Sequence, residues 1–158
     1  MDKFGKVHSV ETCGTLDGPG LRYVIFLQGC PLRCQYCHNP DTWKLGDGRK
    51  ATVNDLMEDI NKYKSFMKFS GGGITVSGGE PLLQPSFVEE LFKRCKEEGI
   101  HTTIDTSGCI MNSETKKVME YTDLVLLDIK SYNPAKYKEV TGVSVTPTLE
   151  FAKYLSSI

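Results

Sequence analysis

The alternation of short apolar runs with amphipathic stretches constrains this chain more than any other feature. Residues 21–28 (LRYVIFLQ) read as a buried strand, 74–77 as a second, 101–105 as a third and 124–129 as a fourth. The last is apolar enough to predict burial on both faces. Helical spacing fills the intervals. Residues 52–69 read as one helix opened by Thr52 and Asp55 at capping-box spacing, with Leu56, Ile60, Tyr63 and Met67 on one face. Ser86 with Glu89 predicts a capped start for the next helix, whose Val88, Leu91, Phe92 and Cys95 form a stripe before Gly99 ends it. Residues 113–121 read as a short helix, and Thr146-Pro147 starts a last one. Strands alternating with helices predict an α/β fold of parallel-sheet (βα) repeats, either an open sheet or part of a barrel. No repeat, linker or low-complexity tract divides residues 1–158, so one domain is expected.

In such folds ligands bind beyond the C-terminal ends of the strands. The residues found there are Gly29-Cys30, Gly78-Gly79-Glu80, Thr106-Ser107, and Lys130 just after Asp128. Cysteines, glycines and charges therefore gather on one rim, while Gly71-Gly72-Gly73 turns the chain on the opposite one. Nineteen basic residues against twenty acidic ones leave a net charge of −1. With no basic run interleaved with aromatics, nucleic acid is not an expected partner. No signal peptide or membrane span can be drawn, and a cytoplasmic protein is expected.

Cys30, Cys34 and Cys37 have the spacing C-x3-C-x2-C. Three thiolates on a loop after a strand can surround one compact soft-metal centre. Three ligands to a four-iron cluster leave one iron open for chemistry. A zinc site of these cysteines with His38 is the competing reading, although His38 directly follows Cys37 and no second Cys or His pair stands at zinc-finger distance. Cys95 falls on an apolar helix stripe, and Cys13 and Cys109 are isolated; all three are left outside the cluster. Neither glycine run is a phosphate loop, because no G-x4-G-K-[ST] is present.

The cysteine motif resembles the cluster loop of the radical S-adenosylmethionine (radical SAM) superfamily. Further segments resemble its family of glycyl-radical-enzyme activating enzymes, of the pyruvate formate-lyase type: Gly14-Thr15-Leu16-Asp17-Gly18-Pro19-Gly20, Tyr36-Cys37-His38-Asn39, Gly71-Gly72-Gly73, Ser77-Gly78-Gly79-Glu80 and Leu127-Asp128-Ile129-Lys130. The resemblance runs over essentially the whole chain. It implies a 4Fe-4S cluster held by Cys30, Cys34 and Cys37, with S-adenosylmethionine chelating the open iron. It places Tyr36, Cys37, His38, Gly78, Gly79, Glu80, Asp128, Ile129 and Lys130 at the cosubstrate, and a monovalent cation at Asp105 and Thr106. Asp17 and Asp128 would face the partner's glycine loop. The implied partners are pyruvate formate-lyase as protein substrate and a flavodoxin or ferredoxin as electron donor. The implied fold is a TIM-like barrel, incomplete here.

Relatives that activate other glycyl radical enzymes carry extra clusters inserted after the first motif, whereas residues 38–77 contain no cysteine. That absence favours the pyruvate formate-lyase type. An activator of another glycyl radical enzyme, a radical enzyme acting on a small molecule and a non-catalytic iron–sulfur electron carrier are the alternatives. Proteins of this family continue for two more βα units, so the sequence is expected to hold about the first four, with an open sheet edge.

Overall fold

The computed structural model describes residues 1–158. Its strands are β1 (Phe4–Gly14), β2 (Arg22–Leu27), β3 (Arg49–Thr52), β4 (Gly73–Gly78), β5 (His101–Thr106) and β6 (Leu124–Leu127). They form one open sheet in the order β3-β1-β2-β4-β5-β6. The four expected strands, β2, β4, β5 and β6, are neighbours and parallel. The antiparallel extension by β1 and β3 was not expected from the sequence.

The helices are α1 (Val53–Lys62), α2 (Lys64–Ser70), α3 (Pro85–Glu97), α4 (Ser113–Glu120), α5 (Pro134–Thr141) and α6 (Thr146–Leu155). The capping box at Thr52 forms: its hydroxyl accepts from the Asp55 N–H at 3.1 Å, and the Asp55 carboxylate accepts from the Thr52 N–H at 3.0 Å. The single helix expected over 52–69 is instead two, broken at Tyr63, where φ is −107° and ψ is 0°. The break sets the Tyr63 ring against Tyr23, with centroids 5.8 Å apart, and still returns Met67 to the core. The Ser86–Glu89 cap does not form. The helix opens one residue earlier at Pro85, whose fixed φ suits the first helical position, and no side chain caps it. Gln84, at the cap position, spends its amide on the Lys6 N–H and on the carbonyls of Lys6 and Gln28. The fourth strand stops at Leu127 and is half-buried along its length, because β6 lies at the sheet edge with β5 on one side only. Burial on both faces is therefore corrected to an edge position, and Asp128 and Ile129 lie past the strand end.

The core lies on the helix side of the sheet. Tyr23, Ile25, Leu27, Ile74, Val76 and Ile104 pack there against Leu56, Ile60, Val88, Leu91, Phe92 and Phe151. Alternate residues point the other way. Register aligns Arg22 with Gly73 and His101, Val24 with Thr75, Thr103 and Leu124, and Phe26 with Ser77. That second face is unusually polar. Fully buried Arg22 donates to Thr75 Oγ1 at 2.7 Å, to Thr103 Oγ1 at 2.9 Å and to the carbonyls of Ile74 (2.6 Å) and Pro19 (2.9 Å). Burial lowers its pKa to about 10, so it stays a cation at neutral pH. The loop between β1 and β2 crosses this face, held by the Pro19 contact and by the Thr75 hydroxyl on the Asp17 carbonyl at 2.7 Å. Asp17 is thereby delivered towards the C-terminal rim.

Candidate functional site

A cavity of about 340 Å³ opens at the C-terminal ends of the parallel strands. The loop after β2 supplies Cys30, Cys34, Tyr36, Cys37 and His38; the end of β4 supplies Ser77, Gly78, Gly79 and Glu80. Asp105, Thr106 and Ser107 come from β5, Asp128 and Lys130 from the segment after β6, and Asp17 from the crossing loop. Every site residue expected from the sequence lines this cavity except Ile129, which is exposed and outside its lining. Phe26, Leu32, Asn39, Thr42, Trp43, Ser77 and Ser107 line it without having been assigned a role. Asn39 and Ser77 stood inside the quoted motifs, Leu32 inside the cysteine spacing and Ser107 among the residues at the strand ends; Phe26, Thr42 and Trp43 carry no local signal.

All six cysteines are free thiols. Cys30, Cys34 and Cys37 are half-buried at the cavity, Cys95 is in the core beside Met57, and Cys13 is exposed. No three His, Cys, Asp or Glu side chains converge as they would around a single ion. The cysteine loop is pinned by its backbone. Gly29 N–H donates to the Thr42 carbonyl at 2.6 Å and Cys30 N–H to the Trp43 carbonyl at 3.2 Å. Arg33 and Gln35 donate their N–H groups to the Thr141 and Val140 carbonyls at the C-terminus of α5, at 2.8 and 3.1 Å. Burial pushes the Cys30 thiol up to about 11 and raises Cys34, which Lys130 pulls back down. A bound soft cation reverses that preference, because coordinated thiols are deprotonated.

Gly78 and Gly79 are required by a close approach of two loops. Gly78 has φ +115°, and a Cβ on Gly79 would lie 2.2 Å from the Gly29 carbonyl oxygen. Gly79 N–H donates to the Leu27 carbonyl at 3.0 Å and Glu80 N–H to that of Gly29 at 2.7 Å, so the two loops are bonded together. Glu80 is buried and accepts four hydrogen bonds: from Thr106 Oγ1 (2.6 Å), Ser107 N–H (3.0 Å), Ser107 Oγ (2.6 Å) and Leu82 N–H (3.1 Å). Desolvation raises its pKa against the pull of these donors. Ser77 donates to Asp105 at 2.9 Å, and burial raises the Asp105 carboxyl as well. Lys130 pairs with Asp128 and lies 5.6 Å over the Tyr36 ring. The wall of the cavity thus brings together soft sulfur donors, carboxylates and an ammonium.

Residues 24–158 match the family model of the Radical SAM superfamily. The chain belongs to that superfamily. Over 157 residues it is 53% identical to a pyruvate formate-lyase-activating enzyme of Listeria monocytogenes, covering 96% of this chain and 63% of that protein. Over 159 residues it is 50% identical to the pyruvate formate-lyase 1-activating enzyme of Escherichia coli K12, covering 99% and 65%. This radical SAM chain therefore spans somewhat under two thirds of the curated relatives it matches. Among solved structures, Streptococcus suis SuiB bound to its precursor peptide SuiA superposes with a TM-score of 0.67 at 22% identity, over 88% of this chain and 30% of SuiB. That likeness shows the fold: the open sheet corresponds to part of a radical SAM barrel. A domain of a Bacteroides vulgatus pyruvate-formate lyase-activating enzyme matches 54% of this chain and 53% of its own at 33% identity, with a TM-score of 0.50.

Proposed function

We propose that this chain carries the cluster-binding part of an activating enzyme that installs a glycyl radical on pyruvate formate-lyase. Residues 1–158 are then about the first four βα units of the radical SAM core. The observation that carries the reading is the meeting of the three C-x3-C-x2-C thiols with Gly78–Glu80, Asp105, Asp128 and Lys130 around one cavity, in a chain half identical to pyruvate formate-lyase-activating enzymes.

Superfamily membership implies a 4Fe-4S cluster and S-adenosylmethionine. The donor set fits: three soft thiols from one loop line one cavity, and thiolates are the donors that iron–sulfur clusters take. Cys30, Cys34 and Cys37 would hold the cluster and leave one iron for the cosubstrate. Bound there and reduced by one electron, cluster and cosubstrate would supply the hydrogen-abstracting 5′-deoxyadenosyl radical, with methionine as the other product, for a glycine Cα of the partner. The protein's own work is orientation. Tyr36 and His38 flank the adenosine, the backbone at Gly78 and Gly79 faces the methionine ammonium, and Lys130 faces its carboxylate. Asp105 and Thr106 support a monovalent cation beside that carboxylate, and Asp17 and Asp128 meet the glycine loop of the partner. Ile129 contributes through its backbone between Asp128 and Lys130, since its side chain lies outside the cavity. Glu80 acts by fixing the turn, its oxygens being taken up by Thr106, Ser107 and Leu82. A flavodoxin or ferredoxin supplies the electron. No helix is long and apolar enough to cross a membrane; a cytoplasmic setting is part of the proposal.

The test is anaerobic reconstitution, reduction, and electron paramagnetic resonance with and without S-adenosylmethionine. A reduced-cluster signal that changes on adding the cosubstrate supports the open-iron site, and a glycyl radical formed on added pyruvate formate-lyase supports the target. A cluster indifferent to the cosubstrate would point to an electron carrier, and bound zinc with no cluster would overturn the radical reading.

A further inference from the structure

Arg33 turns its side chain back onto the loop that carries it. Its Nη1 donates to the Cys30 carbonyl at 2.6 Å and to the Leu32 carbonyl at 2.8 Å. Its guanidinium lies 4.9 Å from the centroid of the Trp43 ring. Trp43 in turn accepts the Cys30 N–H on its own carbonyl at 3.2 Å. The peptide groups on both sides of Cys30 are thus held by two residues that also touch each other. The Arg33 backbone N–H is anchored on the α5 terminus at Thr141, so the clamp has a fixed base.

The geometry points to Arg33 as a positioning residue of the cysteine loop: with Trp43 it fixes the backbone of Cys30 and sets its guanidinium charge on the carbonyl of that residue. The inference rests on the proposed cluster role of Cys30, Cys34 and Cys37. Reduction adds negative charge to a centre already surrounded by thiolates, and a nearby cation favours the reduced form; net charge and hydrogen bonding are the levers that set iron–sulfur potentials. The planar fork matters separately from the charge. Arginine can stack on an indole while two carbonyls accept from its edge, which an ammonium on a flexible stem cannot reproduce.

The two contributions separate in three variants of this chain, R33Q, R33K and W43F, reconstituted beside wild type. The readouts are the cluster midpoint potential from a redox titration, the rate of iron loss to a chelator, and the melting temperature of the apoprotein. R33Q is expected to shift the midpoint to lower potential without moving the apoprotein melting temperature, because Arg33 is exposed. R33K is expected to keep the potential near wild type yet lose iron severalfold faster, and W43F to lose iron faster as well. An R33Q protein with unchanged potential and unchanged iron loss would overturn the inference while leaving the cluster reading intact. A lowered apoprotein melting temperature with an unchanged potential would reduce Arg33 to loop packing and overturn it too. Wild type that takes up no four-iron cluster would overturn both.

Discussion

The Thr106 hydroxyl donates to the Glu80 carboxylate across 2.6 Å, tying the end of β5 to the turn that leaves β4. Ser107 and Leu82 complete the set, so this buried carboxylate is the joint at which two strand ends meet under the cavity. E80A leaves four donors without their acceptor. Each buried group left unsatisfied costs on the order of 1–3 kcal/mol, water entering the gap recovers part of it, and a net loss of about 3 kcal/mol is expected in urea denaturation. T106V removes that donor and also the acceptor of the Gly108 N–H, and should cost about 1–3 kcal/mol.

Arg22 does for the opposite end of the sheet what Glu80 does for the rim. Its guanidinium joins the starts of β2, β4 and β5 to the crossing loop. R22M keeps the stem but strands those acceptors and is expected to cost about 2–4 kcal/mol, the range of a lost charged hydrogen-bond set. Hydrogen exchange should show residues 15–20 opening well below the global unfolding free energy.

His101 accepts a hydrogen bond from Arg22 on Nδ1 at 3.1 Å, which requires the neutral ring. Burial, then the Arg22 charge, hold its pKa below the ordinary value of 6.5. The unfolded chain therefore binds the proton more readily. Stability from this residue is complete above pH about 6.5 and is lost as pH falls below it. Urea midpoints measured between pH 5 and 8 should decline on the acid side for wild type, and H101Q, which keeps an acceptor, should flatten the profile.

Thiol labelling of the folded apoprotein should be graded. Cys13 is exposed and reacts first. Cys95 lies in the core, where burial pushes its thiol up to about 12, and at pH 8 it should react only as fast as the protein unfolds.

Alanine at Cys30, Cys34 or Cys37 is expected to lower iron per chain severalfold after reconstitution. Alanine at Cys13, Cys95 or Cys109 should leave it unchanged. Iron and sulfide analysis checks both halves, and a strong requirement for Cys109 would redraw the ligand set.

The rim was legible because strand ends in a parallel sheet are fixed by apolar runs, and chemistry-bearing residues follow each run directly. β1 was not legible, since its sequence FGKVHSVETCG mixes apolar and charged residues on a half-exposed surface and pairs antiparallel, outside the βα rhythm. α5 was missed for a similar reason: PAKYKEVT buries only Tyr137, Val140 and Thr141 and has no extended apolar stripe. That helix supplies the carbonyls on which Arg33 and Gln35 rest, so the support of the cysteine loop was invisible although the cysteines were not. Ser86 misled because a proline one residue earlier already fixes the helix start, while Gln84 is used to hold β1.

The contact between Gly29 and Gly79 makes the cysteine loop and the turn after β4 a single mechanical part, although they are distant in sequence. Neither can change length on its own without breaking the other's hydrogen bonds. The interlock extends to Thr42 and Trp43, whose carbonyls accept the N–H groups of Gly29 and Cys30, so an insertion directly after Pro40 would disturb it as well. The spacing between Leu27 and Cys30 is thereby fixed by geometry, independently of any chemistry at the cysteines.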